Sequence, residues 1–311
     1  MTPVRVTGVL AVVLPLLMPA GGGGAMAQGL DFASRGDSPV EVFADQGIEW
    51  QQEGKRLIAL GNARAVRDTV TVHGDSLTAH YRDKESGGTE IWRLEAEGSV
   101  RIVSPTETVD GDIAVYDVDT ARLTVRGQPA RMVTPREVIT ARDSLEYHEV
   151  ERKAIARGDA LVVTEDNRRL KADRLTAVLV PADAPGKGKA APRPAPPRPG
   201  TAARGGPPGG AGESKIKLIN ADGHVSVETP NEIVFGDTGV YTVETGIATI
   251  TGSVKISRGE NQLNGEYAVV NLRTGVSRLY ASRPGRTDRN QVKLLLVPER
   301  KSDDRAGGTG K

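Results

Sequence analysis

Residues 96–127 read AEGSVRIVSPTETVDGDIAVYDVDTARLTVRG, and residues 221–252 read ADGHVSVETPNEIVFGDTGVYTVETGIATITG. Each stretch has a glycine near its start, apolar residues at alternate positions after it, and a Gly-Asp pair 12 residues further on. Apolar residues at every second position are typical of a β-strand with one buried face. The two stretches therefore predict a repeated unit of two strands, which is a hairpin.

The unit recurs along the chain with a period of about 30 residues. Its first glycine, called here the marker glycine, is followed after 14 to 16 residues by an acid. The intervals between marker glycines are 37, 29, 31, 65 and 29 residues. A fixed period of this length indicates an array in which each unit packs on its neighbours. The marker glycines are Gly61, Gly98, Gly127, Gly158, Gly223 and Gly252, and the acids are Asp75, Asp112, Asp143, Asp173, Asp237 and Glu266.

The one long interval contains a segment rich in proline, glycine and basic residues, Pro181 to Ser214. Such a composition buries too little apolar surface to offset the entropy of ordering, so we predict disorder. A basic ligand for a proline-recognition module or an anionic surface is the functional alternative. Removing the segment returns the interval to about one period, which predicts an insertion that replaces one turn. The predicted organisation is a signal peptide at 1–27, repeats at 28–180, the insertion at 181–214, repeats at 215–298 and a disordered tail at 299–311.

The apolar stripe changes parity at each acid. A regular strand cannot do this, because a slip of one residue turns every side chain to the other face. A bulge or corner at the acid removes the conflict and gives a reason for the glycine that often precedes it. The residues assigned to this structural corner are Gly74, Asp75, Gly111, Asp112, Asp143, Asp173, Gly236, Asp237 and Gly265.

Stacked hairpins with these corners predict an all-β fold, an elongated antiparallel sheet of about six to seven hairpin units folded over on its apolar face. The aliphatic stripe would line a shallow trough able to bury acyl chains, at about 0.8 kcal/mol per CH₂. The predicted lipid-binding lining is Leu57, Ala63, Leu77, Leu94, Val100, Ile102, Leu123, Val125, Leu145, Val162, Leu175, Val225, Val227, Ile250, Val254 and Ile256.

The N-terminus predicts export. Arg5 precedes an apolar run from Val6 to Met18, and small residues lead to Ala25-Met26-Ala27, which is the pattern of a cleaved signal peptide. The alternative is a membrane anchor, which requires about 20 uninterrupted apolar residues.

Composition and motifs favour binding over catalysis. The 311 residues contain no cysteine and carry a formal net charge of +1, which favours no nucleic-acid partner. No phosphate loop, nucleophile elbow or paired histidine motif occurs, and six acids in equivalent positions are typical of turn residues. We therefore expect no catalytic residue, no metal and no cofactor.

The repeat, with its Gly-x-Val half and its Gly-Asp half in order, resembles the LptA / OstA-like N-terminal domain family of periplasmic lipopolysaccharide transport. The resemblance covers about Val40 to Val297 apart from the insertion. It implies a folded-over β-jellyroll in the periplasm that carries lipopolysaccharide and is not an enzyme. It also implies edge-strand contacts with LptC-like inner-membrane and LptD-like outer-membrane components, and head-to-tail self-association.

Three alternatives remain at this point. A self-filled β-solenoid would serve as an envelope scaffold, because a filled core and an open trough share one pattern. An LptC-like component would keep an uncleaved N-terminal anchor. A carbohydrate-processing β-helix enzyme would need clustered carboxylates on one face.

Overall fold

The computed structural model describes residues 40–85, 87–181, 214–230, 232–271, 273–274, 276–283 and 291–295. These residues form 18 β-strands and no helix, so none of them forms a helix that could cross a membrane. The proposed signal peptide, most of the insertion and the tail lie outside the described residues. The strands are β1 (Glu41–Phe43), β2 (Gly47–Gln51), β3 (Arg56–Arg67), β4 (Val70–Asp83), β5 (Thr89–Val103), β6 (Thr108–Asp117), β7 (Arg122–Arg126), β8 (Ala130–Val133), β9 (Glu137–Ala141), β10 (Ser144–His148), β11 (Lys153–Thr164), β12 (Arg169–Pro181), β13 (Ser214–Glu228), β14 (Ile233–Thr242), β15 (Ile247–Arg258), β16 (Asn261–Asn271), β17 (Val276–Tyr280) and β18 (Lys293–Leu295).

Every strand pairs antiparallel with the strand before or after it along the chain. The long strands bend once, so that each contributes to two layers. Layer 1 contains β2, β7, β10 and β17, and layer 2 contains β1, β8, β9 and β18, each pair acting as the two halves of one bent strand. The result is a stack of bent strands about 60 Å long at the usual spacing between strands. The predicted all-β, folded-over antiparallel architecture is confirmed.

The apolar faces of the two layers meet in one continuous core. Buried residues of layer 1, such as Val125 and Leu175, belong to the same cluster as Val100 and Val162 of layer 2. A second, smaller cluster continues this core toward β16, around Ile250 and Val254. The alternation seen in the sequence therefore defines the inner and outer faces of both layers.

The strands bend where a marker glycine lies opposite an acid, but the irregularity differs from the prediction. Between β3 and β4, Leu60 pairs with Ser76 and Ala63 with Gly74, so Gly61 and Asn62 together oppose Asp75. Gly61 has φ +77° and Asn62 has φ +45°. The bulge thus belongs to the marker-glycine strand and not to the Gly-Asp pair, and the marker glycine is not an ordinary inward-facing strand residue.

The same pair of positive φ angles recurs at Gly98-Ser99, Gly158-Asp159, Gly223-His224 and Gly252-Ser253. Gly127 is the exception, because its strand is divided into β7 and β8. After this break Ala130 and Met132 face inward, whereas alternation from Gly127 points to positions 129 and 131. The sequence period is correct here but its phase is wrong by one residue.

The glycine before an acid has a different role from the marker glycine. A Cβ atom on Gly111 would lie 2.6 Å from Cγ1 of Val125, and one on Gly265 would lie 2.8 Å from Cγ of Leu279. These glycines are needed because the inner side chain of the next strand fills the space of a side chain. Close packing, and not a special backbone angle, explains them.

The insertion lies between two strands that pair with each other. β12 and β13 pair over their length, and Pro181 stands opposite Ser214. The sheet is therefore continuous from β12 to β13. The structure and role of residues 182–213 stay a prediction, because they lie outside the described residues.

Candidate functional site: the interior between the layers

The space between the two layers is apolar and wider at one end. A cavity of about 470 Å³ lies within β1–β7 and is lined by inner residues of both layers. Two smaller cavities, of about 60 Å³ each, lie further along the stack. A volume of several hundred Å³ with an apolar lining is typical of small-molecule sites. The wide cavity is therefore the candidate site.

The lining of the wide cavity is aliphatic on both sides. Layer 1 contributes Leu57, Leu77 and Leu94, and layer 2 contributes Val72 and Ile102. Val40, Val42 and Ile48, near the edge of the sheet, complete the wall and are each more than 40% exposed. The cavity consequently extends to the end of the stack where β1 and β2 lie.

Most of the predicted lining residues border one of the three cavities, but not all. Leu57, Leu77, Leu94, Ile102 and Leu123 border the wide one; Val125, Leu145, Val162 and Leu175 border the second; Val225, Val227 and Ile250 border the third. Four others, Ala63, Val100, Val254 and Ile256, are buried in the packed core and border none of the three. Tight packing next to the bulges explains three of them, because Ala63, Val100 and Val254 directly follow the bulge residues.

The interior does not form one open trough in this conformation. The wide cavity narrows toward the middle of the stack, where Val125 and Val162 are almost completely buried. A continuous trough, as the alternation suggests, thus exists only as a continuous apolar surface. The sequence could not reveal this, because the same apolar pattern fits a filled and an open interior.

Sequence reasoning missed several residues of the wide cavity. Tyr116, Ile91 and Val118 line it from layer 1, outside the positions counted from the marker glycines. Arg67, the last residue of β3, lines it from layer 2 and is only 7% exposed. The apolar residues carry a sequence signal, since Tyr116 continues the alternation of its strand. Arg67 carries none, since a charged residue at a strand end is normally assigned to solvent.

The corner acids lie outside the cavity and hold the bulges. A Cβ atom on Gly98 would collide with the carboxylate of Asp75, and Gly252 has the same relation to Asp237. Each carboxylate therefore covers the marker glycine of the next strand. The outcome is structural, and it resembles the use of aspartate in local turns.

Polar contacts at the corner are exposed. The Asp173 carboxylate accepts a hydrogen bond from Nδ1 of His224 at 2.8 Å, and this contact raises the pKa of His224 above its ordinary value. The Arg142 guanidinium donates to Asp143 and lowers the pKa of that carboxyl. Within the described ranges, no group of three or more metal-ligating side chains lies together.

A second polar motif lies at the free edge of layer 2, on its inner face. The turns at 104–107, 134–137 and 229–232 read SPTE, TPRE and TPNE. In each, the first hydroxyl accepts a hydrogen bond from the backbone N–H of the glutamate, at 3.1 Å. Glu107 and Glu137 are each 4% exposed, and Glu232 accepts a hydrogen bond from Arg258 at 2.8 Å. This row of turn residues, called here the inner edge row, gives the apolar interior a charged border.

Fold and interior define the class of this chain: a β-jellyroll of OstA-like repeats with an apolar interior. Residues 138–276 match the model of the family described as LptA/(LptD N-terminal domain) LPS transport protein. The chain thus contains an LptA/OstA-like domain, and the resemblance noted in the repeat is confirmed. The wide cavity lies N-terminal to the matched residues, in units with the same repeat. A family of transport proteins also agrees with the prediction that the chain is not an enzyme.

Among solved structures, the chain is similar to LptH from Pseudomonas aeruginosa, the LptA homologous periplasmic component of the lipopolysaccharide transport device. The two share 11% identity, the match covers 84% of this chain and 97% of that one, and the TM-score is 0.20. Comparison with curated proteins gives no match. The assignment of the domain rests on the family match together with the repeat and the fold.

Proposed function

We propose that this protein is a periplasmic carrier of lipopolysaccharide that holds acyl chains between its two layers and bridges the inner and outer membranes. The observation that carries the proposal is the apolar cavity of about 470 Å³ in a chain with an LptA/OstA-like domain. Burial of an alkyl chain there is favourable by about 0.8 kcal/mol per CH₂. The cavity has few polar groups, which suits retention of saturated chains without selection for one chain.

The ends of the sheet support the partner part of the proposal. β2 pairs only with β3, and β17 and β18 pair only with β16, so both terminal edges offer unpaired backbone groups. Trp50 is 68% exposed at one end and Leu294 is 52% exposed at the other. Edge strands of this kind bind partners by strand addition. LptC-like and LptD-like components, or further copies of this chain, would bind at these two ends.

One observation favours the second candidate, a self-filled envelope scaffold. The interior is packed through the middle of the stack, and the two cavities there hold about 60 Å³ each. Passage of lipid along the whole molecule would therefore require the layers to separate. A scaffold would need no such movement and would not bind lipid. Residues 1–39, which would decide between cleavage and an LptC-like anchor, lie outside the described residues.

Site-specific photo-crosslinking in Gram-negative cells tests the carrier function. A crosslinker at Ile102, which faces the wide cavity, or at Leu145, which faces the second one, is expected to capture lipopolysaccharide. The matched control is Arg101, adjacent to Ile102 in sequence and exposed on the outer face. Capture at Arg101 equal to that at Ile102, or no capture at any inward position, would contradict the proposal.

Purification separates the two candidates in a second way. A carrier isolated from the periplasm is expected to contain bound lipid and to bind added lipopolysaccharide in solution. A scaffold would contain none and would bind none, while retaining its fold.

A further inference from the structure

Arg67 is a charged residue in an apolar place. It ends β3 on the inner face of layer 2, in the alternation that contains Ala63 and Ala65, and it borders the wide cavity. Its exposure is 7%, close to that of the aliphatic residues around it. Burial of a guanidinium in an apolar site is unfavourable unless the charge finds an anionic or polar partner.

The local fold does not require an arginine at this position. The equivalent residues of other units, six after the marker glycine, are Ser104, Thr164 and Thr229. Each uses its hydroxyl to accept a backbone N–H of the turn that follows. The turn after Arg67 has only two residues and closes by pairing of Arg67 with Val70. The position thus lost its turn-capping hydroxyl and gained a cation directed into the interior.

The charges of the inner edge row place the cation at one end only. Glu107 and Glu137, in the middle of the row, are buried carboxylates that repel an anion. At the far end Arg258 is already bonded to Glu232, and Arg168 is bonded to Asp166, both at 2.8 Å. An anionic group entering from the interior therefore meets a favourable charge at Arg67, where the cavity is also widest.

We propose that Arg67 binds the phosphate group of an amphiphile whose alkyl chain lies in the wide cavity. This inference rests on the proposed function and specifies which ligands the cavity accepts: phosphorylated amphiphiles in preference to neutral ones. The planar guanidinium donates two parallel hydrogen bonds to phosphate, and the apolar surroundings strengthen that contact. Arg67 also interacts with the protein itself, so a ligand shares this side chain with existing contacts.

Binding of two probes with the same chain tests the inference. Dodecyl phosphate and dodecyl glucoside, both below their critical micelle concentrations, are titrated into the purified protein by calorimetry. Arg67→Met is expected to weaken dodecyl phosphate about tenfold or more, because a hydrogen-bonded charge pair is lost, and to leave dodecyl glucoside unchanged. Arg67→Lys keeps the charge and is expected to restore part of the affinity.

Arg64→Met is the matched control, since Arg64 lies on the same strand but on the outer face, over the ring of Phe43. It is expected to change neither affinity. Equal loss of both probes in Arg67→Met, or loss of neither, overturns the inference, and so does tight binding of inorganic phosphate alone. A wild-type protein that binds neither probe nor lipopolysaccharide would instead refute the carrier function. Circular dichroism of each variant verifies that the fold is retained.

Discussion

At the scale of single residues, the corner of each unit is a contact between two strands. The marker glycine adopts a left-handed angle, and the acid of the preceding strand lies over it. Neither feature is sufficient alone, because a left-handed residue with a side chain is possible where space is free. The combination explains why glycine and acid recur together with a fixed spacing.

Substitution Gly98→Ala tests this contact. The added methyl group meets both an unfavourable φ of +74° and the carboxylate of Asp75, so we expect a loss of more than about 2 kcal/mol in the free energy of unfolding. Urea denaturation measures the change.

The control is Gly88→Ala, where φ is +83° and no atom lies within 4 Å of the added Cβ. Backbone strain alone is expected to cost about 1 kcal/mol there. Equal losses at the two glycines would show that the carboxylate contact contributes nothing.

At the scale of elements, the pairing of β12 with β13 is the least expected part of the sheet. The two strands are far apart in sequence, yet they pair from Arg169 opposite Glu228 to Pro181 opposite Ser214. The strands carry the register in their own alternation, so the connection need not supply it. The insertion is therefore expected to be dispensable for folding.

Replacing residues 182–213 by a four-residue turn tests that expectation. Shortening the connection about eightfold lowers the entropy of loop closure, which is worth about 2 kcal/mol of added stability. We expect a cooperative thermal transition at an equal or higher Tm, measured by circular dichroism. Loss of soluble protein would contradict the interpretation of the segment as a replaced turn.

At the scale of the whole molecule, the two ends of the sheet are different surfaces. One end presents β1 and β2 and the other β17 and β18, so association between copies is head to tail and does not close on itself. Such a contact generates linear assemblies, which is the geometry a bridge between membranes requires.

Two edge variants test this form of association. Trp50→Lys at one end or Leu294→Lys at the other is expected to abolish concentration-dependent association in sedimentation velocity, because each variant lacks one of the two complementary ends. A mixture of the two variants keeps one intact pair of ends and is expected to form dimers only.

Val150→Lys is the control, since Val150 is 79% exposed in a turn away from both edges. It is expected to associate like the wild type. Larger assemblies in the mixture of edge variants would exclude a head-to-tail contact through these strands.

Much of this molecule follows from local pattern. Alternation predicts the strands, the period of about 30 residues predicts stacked hairpins, and the parity change at the acids predicts that each strand bends. These properties depend on residues close together in sequence. For the same reason most predicted lining residues face the interior, even where they border no cavity.

Other properties were decided only by the tertiary structure. The bulge lies on the marker-glycine strand, the interior is open at one end and packed in the middle, and Arg67 faces the cavity. Each depends on the distance between layers or on the residue opposite in a neighbouring strand. Alternation specifies which face a side chain is on, whereas the space beyond that face is determined by the other layer.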